Sequence, residues 1–138
     1  MNRKTPENKV SYQNSFKVHP NDIDALNHVN NLVYLQWVLK VSGMHWESLV
    51  TKEINEKYVW VVLRHEIDYL NQAFLNDIIT VYTWIDESKG VKSTRIVHIY
   101  CKDKLLTKSK TTWCLLDAKT LKPKRVGRDI LELFTKNN

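Results

Sequence analysis

Between Asp22 and Asn31 the chain carries Asp22, Asp24, Asn27, His28, Asn30 and Asn31, directly ahead of a long apolar run with helical spacing. A helix start presents unpaired backbone N–H groups and the positive end of the helix dipole, which together can hold the oxyanion formed when a carbonyl is attacked. An aspartate fixed beside it can act as nucleophile or as general base for water. Asp22 and Asp24 are two residues apart, so an extended segment would turn both to one side, with His28, Asn30 and Asn31 at or just inside the helix start.

Each residue also has an ordinary reading. Asn and Asp are the favoured residues at helix caps and turns, so Asn27, Asn30 or Asn31 can simply satisfy first-turn donors. Asp22 can close the turn after Pro20, and His28 can be a hydrogen-bonded loop histidine that titrates near neutrality without consequence. The constellation is harder to dismiss than any one member.

The elements that would position these residues follow from periodicity. Tyr12, Phe16 and Val18 alternate with polar residues across 10–18, which predicts a first strand ended by Pro20. From Val29 to about Leu49 two apolar rows, Val33, Trp37, Val41, Met44 and Leu32, Leu35, Leu39, Trp46, leave Gln36, Lys40, Gly43 and Glu47 on one narrow polar stripe, so the helix is expected to be mostly buried. Four segments rich in β-branched and aromatic residues follow, at 58–70, 78–87, 91–102 and 105–116. The turn chemistry of Asn76-Asp77, Ser88-Lys89-Gly90 and Asp103-Lys104 predicts that these strands form an antiparallel meander. A short helix is expected over 129–134. One very apolar helix needs a curved sheet to wrap it, which gives an α+β class with about five antiparallel strands around one central helix. Aromatic residues on the outer sheet face favour pairing with a second copy.

A length of 138 residues, 43% of them apolar and 26% charged, suits a single domain spanning 1–138. No linker or low-complexity stretch interrupts it, and the polar ends, 1–8 and 135–138, are expected to fray. No window is apolar for long enough to span a bilayer and no secretory signal core is present, so a cytoplasmic protein without membrane insertion is expected. Cys101 and Cys114 lack metal-ligand spacing and read as reduced structural thiols; neither a metal site nor a cofactor is expected. The formal charge of +6 suits nucleic acid, anionic lipid or phosphorylated small molecules alike. The basic residues thicken only at Lys119, Lys122, Lys124, Arg125 and Arg128, which reads as a solvated loop. Without an aromatic-interleaved basic motif, nucleic-acid binding is the weakest reading.

The segment DIDALNHVNNLVYLQWV, Asp22 to Val38, closely resembles the signature of the 4-hydroxybenzoyl-CoA thioesterase-like branch of the hotdog-fold superfamily, which includes long-chain acyl-CoA thioesterases. HVNNLVYLQWVL also resembles acyl-ACP thioesterases, and LDAKTLKPKRV resembles the end of the family's last strand. The resemblance implies a hotdog fold, a homodimer or homotetramer with active sites at a subunit interface, and cofactor-free hydrolysis of acyl-CoA or acyl carrier protein thioesters in fatty acid metabolism. It matches Asp24 to the catalytic aspartate, and His28, Asn30 and Asn31 to positions that orient the thioester or the attacking water. Two departures stand out: Asn27 replaces a glycine common in the family, and Leu39 and Lys40 occupy the helix positions where many relatives carry a glutamate. Two functions are therefore expected: thioester hydrolysis through Asp24, or acyl-thioester binding by a hotdog dimer without turnover.

Overall fold

The structure, a computed structural model, describes residues 4–136; residues 1–3 and 137–138 of the two polar ends lie outside the described residues. Strand β1 (Ser11–Lys17) leads through a 3-10 turn (Pro20–Asp22) and a loop into helix α1 (Asn31–Leu49). Then come a short helix α2 (Lys52–Lys57), strands β2 (Tyr58–Tyr69), β3 (Ile78–Lys89), β4 (Lys92–Cys101) and β5 (Lys104–Asp117), and a single-turn helix α3 (Arg128–Leu131).

Helix α1 starts where Asn30, in extended conformation, takes the Leu32 N–H on its side chain, the capping geometry that asparagine favours. Val33, Tyr34, Trp37, Val38, Val41, Ser42 and His45 are buried on one face, and the stripe of Gln36, Lys40, Gly43 and Glu47 is exposed. The second apolar row departs from expectation: Leu32 is 67% and Leu39 38% exposed, because the helix packs against β1, β3 and β4 along one flank only. Helix α2 escapes apolar periodicity because its residues are polar; the Thr51 hydroxyl caps it, and Lys52–Glu56 and Glu53–Lys57 pair across one turn.

The sheet order is β1-β3-β4-β5-β2, antiparallel throughout. Only β3, β4 and β5 form the expected meander, turning at Gly90 (φ 62°) and Lys102 (φ 55°). Strand β2 pairs with β5 and is not a neighbour of β3, which corrects the expected four-strand meander. The turn at Asn76-Asp77 is real: Asn76 has φ 70° and the Asp77 carboxylate accepts from the Phe74 N–H. It closes a longer segment, 70–77, that crosses between strands lying apart in the sheet.

Apolar packing divides in two. Val18, Val29, Val33, Tyr34, Trp37, Val38 and Val41 meet Ile79, Val81, Val97, Ile99 and Leu106 in one cluster, and Leu115, Val126 and Ile130 gather Trp46, Tyr58, Trp60 and Phe134 in another. Along α1, and again along β5, buried polar residues lie between the two: Ser42 and His45 on the helix, Ser109 and Thr111 on the strand. The first cluster seats the loop that carries the acids, since Val18 and Val29 flank it and both are buried.

Candidate active site

The loop between β1 and α1 folds on itself. Ile23 and Val29 form an antiparallel bridge, Asp24 N–H donates to the His28 carbonyl at 2.8 Å, and Asn27 N–H donates to the Asp24 carbonyl at 3.1 Å. Closing so short a loop puts Asn27 at φ 63°, a left-handed conformation that asparagine tolerates and that explains how it stands in place of a glycine. The Asp24 carboxylate takes part: Oδ1 accepts from Leu26 N–H at 2.9 Å and from His28 N–H at 3.3 Å. Oδ2 accepts from no described residue. A half-buried carboxylate thus has one oxygen fixed and the other open.

Asp22 does not face the same side as Asp24 in an extended segment. It ends the 3-10 turn, where Oδ2 accepts from His19 N–H at 2.9 Å, and its carbonyl receives Asn30 N–H at 2.9 Å. Its role is that of a loop shaper. His28 is half-buried with its ring edge-on to Phe74, centroids 5.5 Å apart, and its ring nitrogens bond to no described residue. Asn30 is the cap. Asn31 is exposed, its carbonyl accepts from Tyr69 hydroxyl at 3.3 Å, and its N–H meets no acceptor among the described residues. Because Asn30 occupies the Leu32 N–H and the Val33 N–H turns to the Asn30 carbonyl, the open donors of the helix start narrow to Asn31.

A second wall, not visible in the periodicity, comes from segment 70–77. Val29 N–H donates to the Ala73 carbonyl at 3.1 Å, and Ala73 N–H donates to the Tyr34 hydroxyl at 2.9 Å. Tyr34 and Ala73 are fully buried, and desolvation pushes the tyrosine hydroxyl above its ordinary pKa, so it stays protonated. Exposed Leu26, Leu32, Leu70, Phe74 and Leu75 come from the same loop, helix start and crossing segment, and Tyr69 from the adjoining end of β2. The sequence signal for this wall was the Asn76-Asp77 turn, which marked a segment end without saying what it packed against.

Farther along α1, the positions where many relatives carry an acid hold partly exposed Leu39 and Lys40, whose ammonium lies 5.3 Å from the Phe16 ring centroid. Among the described residues no three His, Cys, Asp or Glu side chains gather to hold a metal. What the loop offers is an open carboxylate oxygen, a free helix-start N–H and an apolar surround, which suits attack on the carbonyl of an acyl group.

Several solved structures resemble the chain. The probable thioesterase YbaW from Escherichia coli is 22% identical with TM-score 0.77, covering 90% of this chain and 98% of that one. The 1,4-dihydroxy-2-naphthoyl-CoA thioesterase Slr0204 from Synechocystis is 14% identical with TM-score 0.77, covering 90% and 95%. The hypothetical protein SAV2348 from Staphylococcus aureus, solved in complex with CoA, is 16% identical with TM-score 0.80, covering 94% and 85%. No curated protein matches the chain. The fold is the hotdog fold of the thioesterases. Within that class the chain belongs to the acyl-ACP thioesterase family, whose N-terminal domain matches residues 9–134.

Proposed function

We propose that the chain, acting as one hotdog domain over 1–138, hydrolyses an acyl thioester of CoA or acyl carrier protein, with Asp24 as general base or nucleophile. The observation that carries this reading is the Asp24 carboxylate, pinned through Oδ1 and open at Oδ2 in the loop that leads into the helix start. In this reading Asn31 N–H polarises the thioester carbonyl, Asn30 and the loop hold that donor in place, and His28 orients the thioester or the water. Water attacks as its proton passes to Oδ2, and the tetrahedral oxyanion is held at the helix start. As the carbon–sulfur bond breaks the sulfur takes the proton back from Oδ2, so that a thiol and a carboxylic acid leave and the Asp24 carboxylate is restored.

The apolar side chains at 26, 32, 70, 74 and 75 and the free edge of β2 support a homodimer, or a tetramer built from it, in which a second copy covers this surface. The net charge of +6 supports a substrate bearing nucleotide phosphates or an acidic carrier protein, and unpaired Cys101 and Cys114 support a cytoplasmic setting. Among the described residues no helix is long and apolar enough to cross a membrane.

The test separates chemistry from loop structure. In Asp24→Asn the amide oxygen can keep both Oδ1 hydrogen bonds while the charge is lost. Free-thiol release over aliphatic and aromatic CoA and carrier-protein thioesters should therefore fall by about 100-fold or more with the melting temperature nearly unchanged. Asp24→Ala should lose the same activity and about 1 kcal/mol of stability as well. Unchanged turnover in Asp24→Asn would rule out the assigned mechanism. One observation favours a second reading, binding without turnover: α1 carries no acid at Leu39 or Lys40. Saturable acyl-CoA binding with no thiol release at any chain length would establish it.

A further inference from the structure

A cavity of about 120 Å³ opens toward the far end of α1. Trp46, Trp60, Trp113 and Phe134 wall it, and Ser42 and Gly43, two of the smallest residues of the helix, leave the room for it. The polar side chains at its border are engaged elsewhere. The Ser42 hydroxyl donates to the Val38 carbonyl at 2.6 Å, and the hydroxyls of Ser93 and Ser88 bond at 2.8 Å. Arg95 Nη1 donates to His45 Nδ1 at 2.8 Å and to the Thr83 hydroxyl at 3.0 Å. A cavity that offers only hydrocarbon and aromatic surface stays dry and takes an apolar occupant.

An apolar track leads to it from the helix start. Leu32, Leu35, Leu39 and Trp46 form one row along α1, and its three leucines are exposed or half-buried because the helix packs against β1, β3 and β4 on another flank. Strand β2 meets both ends of the row. Its Tyr69 hydroxyl donates to the Asn31 carbonyl at 3.3 Å, and its Trp60 stands edge-on to Trp46 with ring centroids 5.8 Å apart. From Asn31 to Gly43 the helix rises about 18 Å at about 1.5 Å per residue. A fully extended chain of single bonds advances about 1.2 Å per bond, so about 15 bonds cover that distance. At roughly the 30 Å³ that one water occupies, the cavity holds about four carbons. We propose that the track and the cavity are the acyl subsite and that they select an unbranched chain of about 16 carbons, the last four or so inside the cavity. The assignment rests on the thioesterase reading, in which the substrate carbonyl meets the Asn31 N–H.

Binding is read by tryptophan emission in the full chain carrying Asp24→Asn, so that affinity is measured apart from turnover. Dodecanoyl-, hexadecanoyl- and eicosanoyl-CoA are the probes, each below its micellar concentration. Hexadecanoyl-CoA should bind at least about 30-fold more tightly than dodecanoyl-CoA, whose chain stops short of the cavity. Eicosanoyl-CoA should gain nothing further, because the cavity is already full. A bromine at the end of the hexadecanoyl chain should quench the emission of the tryptophans that line the cavity. Helical side chains lean toward the N-terminus, so Gly43→Leu lays its side chain across the entry from Leu39. A Cβ there meets no atom within 4 Å and glycine is a poor helix former, so this variant should keep or raise the melting temperature while the ratio of hexadecanoyl to dodecanoyl affinity falls to near one. Equal binding of those two chains, a steady gain through eicosanoyl-CoA, no quenching by the bromine, or an undiminished ratio in Gly43→Leu would each overturn the proposal. The expected binding pattern without thiol release by the wild type would instead sink the hydrolase reading and leave the subsite standing.

Discussion

Asn27 is where the loop's geometry rests on a single backbone angle. At φ 63° a β-branched side chain would crowd its own backbone, whereas glycine would relax there. Asn27→Val is expected to lose about 1–2 kcal/mol in urea denaturation, and Asn27→Gly to stay within a few tenths of wild type. Thiol release should fall in the valine variant, since Asp24 accepts from the backbone on either side of Asn27. The sequence made the crowd of amides and acids legible but not their division of labour. Asn27, Asn30 and Asn31 share one chemistry, and only their backbone angles separate a left-handed turn, a cap and an open first-turn position. Asp24 is likewise both a turn former and an acid with a free oxygen, a pairing of roles that residue type cannot reveal. Tyr34, inside the apolar run, holds a backbone N–H through its hydroxyl, a role its position gives no sign of.

Among the elements, α1 and segment 70–77 are joined through that hydroxyl. Removing it in Tyr34→Phe strands the buried Ala73 N–H, so a loss of roughly 1–3 kcal/mol is expected, read as a lower urea midpoint with an unchanged slope. The limits of α1 and of the five strands were legible to within two residues because apolar spacing reports the face each residue turns to, whereas polar α2 gave no such signal and α3 ends three residues before the expected Phe134. The order of strands was not, because a tight turn chemistry at Asn76-Asp77 looks the same at the end of a hairpin and at the end of a crossing. Strand β4 shows a further reason. Its inward positions run Ser93, Arg95, Val97, Ile99 and its outward ones Thr94, Ile96, His98, Tyr100, so polarity changes faces midway and neither phase reads as the core.

For the molecule as a whole, the buried polar layer governs the response to acid. Burial, and then the charge of Arg95, lower the His45 pKa from 6.5 to about 4. The unfolded chain takes up a proton that the folded one refuses, so stability is complete above pH 6.5 and declines as the pH falls toward 4. At about 1.4 kcal/mol per pKa unit, the loss is roughly 3 kcal/mol. His98 and His65 are also lowered by burial and act in the same direction. Urea midpoints across this range should fall with pH, and the fall should shrink in His45→Gln, whose amide oxygen can still accept from Arg95. Equal slopes in the two proteins would refute the assignment.

Ala73 receives the Val29 N–H and gives its own N–H to Tyr34, so one residue belongs to two hydrogen bonds that lead to the Asp24 loop and to the helix. A swing of segment 70–77 away from the sheet breaks both at once. The loop that aims the carboxylate then loses its Val29 anchor in the same event that displaces the exposed leucines and phenylalanine of the segment. One residue's backbone thus ties the bearing of Asp24 to the width of the apolar mouth.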